Sequence, residues 1–330
     1  MGPILFNLFI NDIDLSLKYT KILKYADDIR IYLSANKDNV SISVLQSQLQ
    51  SDINSLSEWA ANSCMIFNYN KSFFVSFGRS PHDRTYTIHN ISIIQCDEFK
   101  DLGITVDTSL NFKSHISTIV PKALAKLGLI NKVFRNKSKK NIVRLFKAFV
   151  RPTLDYACIV WNPYLVGSID NLERVQQRMC RILPSLRDLP RRERLQSLNL
   201  LSLEARRLRF QLIVMYKIHK GALKLDFSDL FGPCKTSNTR GHDCRLTASF
   251  AKRKVRHNFF TVSCVHWWNK LSQDDVNAPS LSVFKVRLSS FFKRNRILLA
   301  NKNAPHRKLD VFLIKILPIF WTLKKIKIIP

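Results

Sequence analysis

Glycine is scarce, 8 in 330 residues, which disfavours a Gly-rich β-barrel, a P-loop enzyme or a flexible linker protein. Acidic residues are scarce as well: 24 Asp+Glu stand against 53 Lys+Arg, a formal net charge of +29. That excess points to a polyanionic partner, of which nucleic acid is the usual one. No run reaches the ~18–20 apolar residues that cross a bilayer. The apolar stretch Val311–Leu323 is short and carries Lys315 and Pro318, so no stable membrane insertion is expected. The opening MGPILFNLFINDID has no basic n-region, which argues against a secretory signal. The cysteines, at Cys64, Cys96, Cys158, Cys180, Cys234, Cys244 and Cys264, are odd in number and form no CxxC. This usage predicts a reducing, intracellular setting, nucleus or cytoplasm, and a chain that is not secreted.

What is present is unevenly placed. Residues 1–100 carry 9 Lys+Arg and 10 Asp+Glu, residues 101–200 carry 18 and 7, residues 201–300 carry 19 and 6, and residues 301–330 carry 7 and 1. A near-neutral front and a basic back suggest chemistry in the first part and polyanion binding in the second. With 46% hydrophobic residues the chain can bury more than one core.

Periodicity gives a coarse map. Met1–Leu17 reads as a helix with Ile4, Leu5, Leu8, Phe9 and Ile13 on its apolar face. Lys21–Ser34 reads as two short strands about a turn, with Ile29, Ile31 and Leu33 alternating. Val40–Ala61 is an amphipathic helix through Leu45, Leu49, Ile53, Leu56, Trp59 and Ala60. Met65–Phe77, Thr85–Gln95 and Phe99–Val106 read as strands, with His89–Asn90 a turn. Helices follow over Phe112–Val133 (Pro121 a kink or break), Lys139–Val150 with Ser138 as N-cap, Ile169–Leu183, Arg191–Gly221, Val265–Leu271 and Ser280–Arg294. The expected fold class is α+β, an antiparallel sheet with helices and then a mostly helical basic region. The expected divisions are 1–107, 108–221, a partly loop-like 222–300, and a basic–apolar tail 301–330.

Tyr25-Ala26-Asp27-Asp28 lies between the first two strands. Adjacent carboxylates at a hairpin tip repel unless a cation neutralises them. Mg²⁺ is suited to the task because hard cations take carboxylate oxygens. A solvated surface turn is the plain alternative, so the surroundings must decide.

Those surroundings resemble the reverse transcriptases of non-LTR (LINE-type) retrotransposons, from Met1 to about Leu288. GPILFNLFINDI (Gly2–Ile13) is similar to the tail of that family's substrate-contacting motif, and KYADDIRIYL to its metal-binding turn. Trp59, Asn62 and FNYNKSFFVSF follow, with Ser72 where the family has Thr. FKDLGITVDTSLNFKSHI resembles the strand-turn-strand that grips the primer, with Asp101 and Ile104 substituted around Leu102-Gly103. Downstream, LFKAFVRPTLDYACIVWNPY (Leu145–Tyr164), LERVQQRMCRIL (Leu172–Leu183), LNLLSLEARRLRFQLIVMYKIHKG (Leu198–Gly221) and HWWNKLSQDDVNAPSLSVFKVRL (His266–Leu288) keep the family's order.

The resemblance implies an RNA-directed DNA polymerase palm in part, then a helical thumb. It implies a two-metal Mg²⁺ centre, with RNA template, DNA primer and dNTPs as partners. Asp27 takes the metal-bridging place and Asp28 the second; Lys71 matches a lysine that holds or protonates the triphosphate. Tyr25, Leu102 and Gly103 match primer contacts. The family's Gln-Gly-Ser run, first Asp-bearing strand and fingers have no match here, and Asp12 and Asp14 match its structural Asn-Asp-Ile. The chain therefore reads as a C-terminal fragment, inactive in polymerisation alone. A non-catalytic nucleic-acid-binding remnant is the alternative. A viral RNA-dependent RNA polymerase fits less well, having Gly before its paired aspartates.

In the basic half, Arg135, Lys137, Lys139, Lys140, Arg144 and Lys147 form one cluster. Arg187, Arg191, Arg192 and Arg194 form another, and Arg206, Arg207 and Arg209 a third. Arg135, Lys139, Lys140, Arg144, Arg191, Arg192, Arg206 and Arg207 are the expected phosphate contacts; for any one cluster a solvated helix face is the alternative. Trp161, Trp267 and Trp268 are read as core rather than base-stacking residues. Cys234, His242, Cys244, His257, Cys264 and His266 match no standard zinc spacing.

Overall fold

The apolar runs around Tyr25–Asp28 form a hairpin. β1 (Lys21–Tyr25) and β2 (Asp28–Leu33) pair antiparallel with Tyr25 opposite Asp28, leaving Ala26 and Asp27 as the turn. The computed structural model describes residues 1–34, 41–78, 84–223, 225, 230–233, 242–247, 251, 254–295 and, for the backbone, 322–329. The fold class is α+β, in two compact units: Met1–Leu110 with Ile316–Pro330, and Asn111–Lys315.

In the first unit, α1 (Gly2–Phe9) runs into a 3-10 segment, Ile10–Ser16, ahead of β1. The helix α2 (Ile42–Asn62) starts at Ser41, whose hydroxyl accepts the Val44 N–H. Strands β3 (Ile66–Phe67), β4 (Phe73–Ser76), β5 (Thr87–Ile88), β6 (Ile91–Ser92), β7 (Ile94–Gln95), β8 (Glu98–Asp101) and β9 (Ile104–Asp107) follow, and β12 (Thr322–Ile329) joins from the far end of the chain. The main sheet runs β1-β2-β12-β4-β7, with β3 also paired to β12. Alternation sorts its two faces. Ile29, Ile31 and Phe74 join Leu49, Ile53 and Leu56 of α2 in one core. Val75, with Phe73 beside it, packs instead with Phe99 of β8 on the other face.

The β5–β6 and β8–β9 hairpins both close with two-residue turns at positive φ: His89 and Asn90 at 45° and 65°, Leu102 and Gly103 at 43° and 84°. Positive φ at both central positions is the type I′ pattern that matches strand twist. The single strand expected over Phe99–Val106 is thus a hairpin, because Gly103 allows the reversal.

Met1–Leu17 departs from expectation as well. Of its five expected apolar-face residues only Ile13 is buried, while Ile4, Leu5, Leu8 and Phe9 are exposed. The tightening to 3-10 geometry after Phe9 turns Ile10 and Ile13 inward instead.

Asp52 fixes the approach to β1. This side chain on α2 is 1% exposed, and its carboxylate accepts the backbone N–H groups of Lys18, Tyr19 and Thr20 at 3.1, 2.9 and 2.7 Å. Three donors just ahead of the hairpin are thereby satisfied by one charge.

The second unit is helical: α3 (Lys113–Val133), α4 (Lys139–Leu145), a π turn (Phe146–Val150), α5 (Arg151–Asp155), α6 (Val166–Arg181), α7 (Arg191–Ser197) and α8 (Leu203–His219). The two-stranded β10 (Gly232–Pro233) and β11 (Leu246–Thr247), four short helical turns between Lys254 and Val276, and α9 (Leu281–Arg294) complete it. Ser138 caps α4 through the Asn141 N–H. The π turn precedes Pro152, which has no N–H to give Ala148 and whose ring would crowd that carbonyl; widening the turn relieves both. Pro121 sits inside α3 without ending it. The single helix expected over Arg191–Gly221 is two: Asn199 takes φ 48°, and Ser202 caps a new start by accepting the Ala205 N–H. Trp161 and Trp268 are buried and donate their indole N–H to Tyr156 O and Cys244 O, and Trp267 is buried in the same core as Trp268. The segment 301–321 lies outside the described residues.

Two predictions follow from this packing. Asp52→Ala would strand three backbone donors at the mouth of β1 and should cost about 3 kcal/mol of stability, measured by urea unfolding; a loss below about 0.5 kcal/mol would show that the capture does not hold the hairpin. The second concerns pH. His115, His219 and His242 all lie below the ordinary 6.5, chiefly through burial, with Lys122 beside His115, Lys220 beside His219 and Arg245 beside His242 acting in the same direction. The folded unit thus favours neutral imidazole, and its stability, whole above 6.5, is lost progressively as pH falls from 6.5 through the depressed folded values. The denaturation midpoint, followed by tryptophan fluorescence, should drop between about pH 7.5 and 5.5; a flat midpoint would contradict it.

Candidate metal and primer site

The site is built on the turn between β1 and β2. Ala26 takes φ 50°, a left-handed value that costs a non-glycine residue roughly 1 kcal/mol and is imposed here by five paired positions in the ladder behind it. Tyr25, at 62% exposure, stands on one side of the turn, and the half-buried Asp27 and Asp28 follow. Ile29 and Ile31 face the α2 core, so alternation puts Asp28 and Arg30 on the opposite face of β2.

That face carries the β8–β9 hairpin. The Arg30 guanidinium, 7% exposed as a residue, donates to Asp101 at the end of β8. The rings of Phe73 and Phe99 stand 5.5 Å apart beside them. The turn with Leu102 and Gly103, both exposed, is thus anchored over the same face as Asp28. Asp101, a departure from the family pattern, is explained by Arg30: the two substitute an ion pair for whatever else would pin the hairpin. Sequence reasoning missed this pair, although an arginine between two buried isoleucines was its signal.

Lys71 precedes β4 and is exposed. It closes the 3-10 turn Tyr69–Lys71 that links β3 to β4, both of which pair with β12, the strand beside β2.

Adjacent carboxylates offer hard oxygen donors, which fit a hard divalent cation. Among the described residues no group of three or more His, Cys, Asp or Glu side chains is gathered to hold a metal. Asp27 and Asp28 therefore suit an ion that takes its remaining ligands from water and substrate phosphates, as Mg²⁺ commonly does. Burial pushes the Cys158 thiol up to about 12 and the Cys180 thiol up to about 11, and raises Cys244 and Cys264. Cys234 lies outside the described residues.

The basic residues divide into three kinds. Arg135, Lys139, Lys140, Arg144 and Arg192 are exposed. Arg191 is partly engaged, its guanidinium 3.0 Å from the buried carboxylate of Glu173. Arg206 lies against Asp155, with Nε at 2.8 and 3.1 Å from the two carboxylate oxygens. Arg207 is 2% exposed and donates Nε–H to Asn162, so it belongs to the interior. Arg151 and Lys293, which no cluster in the sequence marks, stand near Arg206 in the same unit.

No helix among the described residues is long and apolar enough to cross a membrane. Residues 1–106 match the family of reverse transcriptases (RNA-dependent DNA polymerases). The chain is 27% identical over 192 residues to the RNA-directed DNA polymerase from mobile element jockey of Drosophila funebris, covering 55% of this chain and 20% of that protein. It is 24% identical over 192 residues to the probable RNA-directed DNA polymerase from transposon X-element of Drosophila melanogaster, covering 56% and 21%. With the Drosophila melanogaster jockey polymerase the identity is 26% over 196 residues, covering 55% and 20%. The chain spans about a fifth of the length of these curated relatives. No solved structure matches it. Residues 1–106, with the paired aspartates on their first hairpin, match a reverse transcriptase domain, and about half of the chain is similar to RNA-directed DNA polymerases of mobile elements.

Proposed function

We propose that this chain is the YADD-bearing part of the RNA-directed DNA polymerase of a non-LTR mobile element, acting on an RNA template and a DNA primer with dNTPs. The observation that carries the reading is the Arg30–Asp101 pair, which holds the Leu102–Gly103 turn over the face that bears Asp28. Asp27 and Asp28 would hold Mg²⁺ at the tip of the hairpin. Bound there, divalent ions lower the pKa of the primer 3′-hydroxyl and stabilise the leaving pyrophosphate. Lys71, in the turn ahead of β4, would offer three N–H donors to the triphosphate. Tyr25 and the Leu102–Gly103 turn bracket the primer terminus, with Gly103 permitting close backbone approach. The helical unit supplies the phosphate grip.

By themselves these residues bind nucleic acid but do not extend a primer. Polymerase chemistry needs more carboxylate than one pair, and four of the unit's other acids are engaged elsewhere. Asp12 accepts from the Trp59 indole, Asp14 pairs with Lys24 at 2.6 Å, Asp52 holds backbone, and Asp101 holds Arg30. Both sides of β2 are also paired, with β1 and β12, so a further Asp-bearing strand would have to displace β12. The reading extends to a site of action where nucleic acid and dNTPs meet, nucleus or cytoplasm.

Two measurements test this. RNA-templated primer extension by the 330-residue chain should not exceed an Asp27→Asn control, while Mn²⁺, followed by its paramagnetic resonance signal, should bind weakly to the wild type and not to that variant. Extension above the control would overturn the half-site reading, and Mn²⁺ binding indifferent to Asp27 would overturn the metal assignment. For the pair that positions the hairpins, a double-mutant cycle with Arg30→Met and Asp101→Asn should give a coupling of about 1–2 kcal/mol in unfolding; additive losses would remove the link between the two turns.

A further inference from the structure

Beyond the surface clusters, the helical unit contains a half-enclosed pocket of about 370 Å³ where the π turn, α5, α6, α8 and α9 converge. Five cations line it: Lys147, Arg151, Arg206, Arg209 and Lys293. One carboxylate serves them. Asp155 lies 2.8 Å from Arg206 and 3.6 Å from Arg151. Arg209 is steered from α9, where its guanidinium donates to the Lys285 carbonyl at 3.2 Å. Arg206 is further held over the Phe210 ring at 4.8 Å. Burial lowers the Arg151 and Arg209 values, and the neighbouring Arg206 lowers them further. Like charges are thus gathered in a partly dry recess with less than half of the anionic charge that would balance them, an arrangement that an incoming anion stabilises.

From this geometry we infer that the pocket seats a phosphate group, and that its source is the backbone of a nucleic-acid strand. The inference rests on the nucleic-acid reading above and gives it an address. Guanidinium groups from two helices suit the paired oxygens of a phosphate, and the two lysines at the rim add point charges. The pocket does not stand alone. A shallower depression lined by Lys139, Lys140, Arg144 and Lys147 adjoins it through Lys147. Along the helical run from Lys139 to Arg151 the track measures about 18 Å at 1.5 Å per residue. The π turn widens this run just where Lys147 and Arg151 enter the pocket. Of the third sequence cluster the pocket uses Arg206 and Arg209 but not Arg207, and it adds Arg151, which no cluster marked.

The test uses the 330-residue chain and a fluorescent RNA–DNA duplex, with affinity followed by anisotropy as salt is raised. Arg151→Gln with Arg209→Gln should weaken binding about tenfold or more at physiological salt and lower the slope of log affinity against log salt by about one. Because that pair touches the interior, Lys147→Gln with Lys293→Gln, at exposed rim positions, should act in the same direction without changing the thermal midpoint. Lys122→Gln with Lys132→Gln removes the same charge from α3 and should change affinity less than about threefold. Equal losses in pocket and control variants would overturn the seat while leaving duplex binding intact. A wild type that fails to bind the duplex would instead overturn the functional reading itself. Inorganic phosphate separates the sources: it should raise the wild-type thermal midpoint and displace the duplex only at about tens of millimolar. Tight phosphate binding that leaves the duplex bound would assign the pocket to a small phosphate ligand and overturn the backbone assignment.

Discussion

Each unit contains a buried carboxylate that captures backbone N–H at the start of an element. In the first it is Asp52, which takes three donors ahead of β1. In the second it is Glu173, 1% exposed, which accepts the Glu204 N–H at 2.8 Å at the start of α8 and pairs with Arg191. A buried anion is costly unless fully paired. That cost makes each capture decisive, because any arrangement that moves the donors away leaves both charge and N–H groups unsatisfied. Asp52 therefore sets where the YADD hairpin begins, and Glu173 sets where α8 begins. The candidate metal turn and the arginines of α8 inherit their positions from these two side chains.

The same economy of acids explains the basic surface. In the helical unit the carboxylates turn inward: Asp155 to Arg206 and Arg151, Glu173 to Arg191 and the α8 backbone, Asp275 to the Ser272 cap and Arg294. Residues 101–330 carry 44 Lys+Arg against 14 Asp+Glu, so most of the cations there have no carboxylate to pair with.

Local signals in the sequence were legible where local physics decides. The β1–β2 hairpin, the long amphipathic α2, Ser138 as a cap and the His89–Asn90 turn all follow from alternation, helical spacing or turn chemistry within a few residues. The misses share the opposite property. The break after Ser197 depends on Asn199 adopting positive φ where the apolar pattern runs on. The exposed face of α1 looks like a core face in sequence, and only the tertiary structure shows that Ile10 and Ile13 take that role. The Arg30–Asp101 pair joins residues 71 positions apart. Asp52 and Glu173 left a subtler trace. Each lies on a helix one residue from a buried apolar side chain, Ile53 and Leu172, and an acid beside a core stripe signals a buried charge with a structural partner.

Three hairpin tips of the first unit carry backbone strain. Ala26, His89 and Leu102 are non-glycine residues at positive φ, and all three occupy two-residue turns. At roughly 1 kcal/mol each, such values persist only where the ladders and cores behind them define the turn completely. Behind Ala26 stand the β1–β2 ladder, the isoleucines packed on α2, and Asp52 at the base. Behind Leu102 stand Phe99 in its own apolar cluster and Asp101 held by Arg30. The two turns of the candidate site are thus each held from behind by contacts that involve neither metal nor nucleic acid. A ligand arriving there meets backbone already shaped, so its binding energy need not be spent on ordering the turns. That rigidity explains how the hairpin keeps its form around two carboxylates that, at this end of the sheet, supply only part of a metal's ligands.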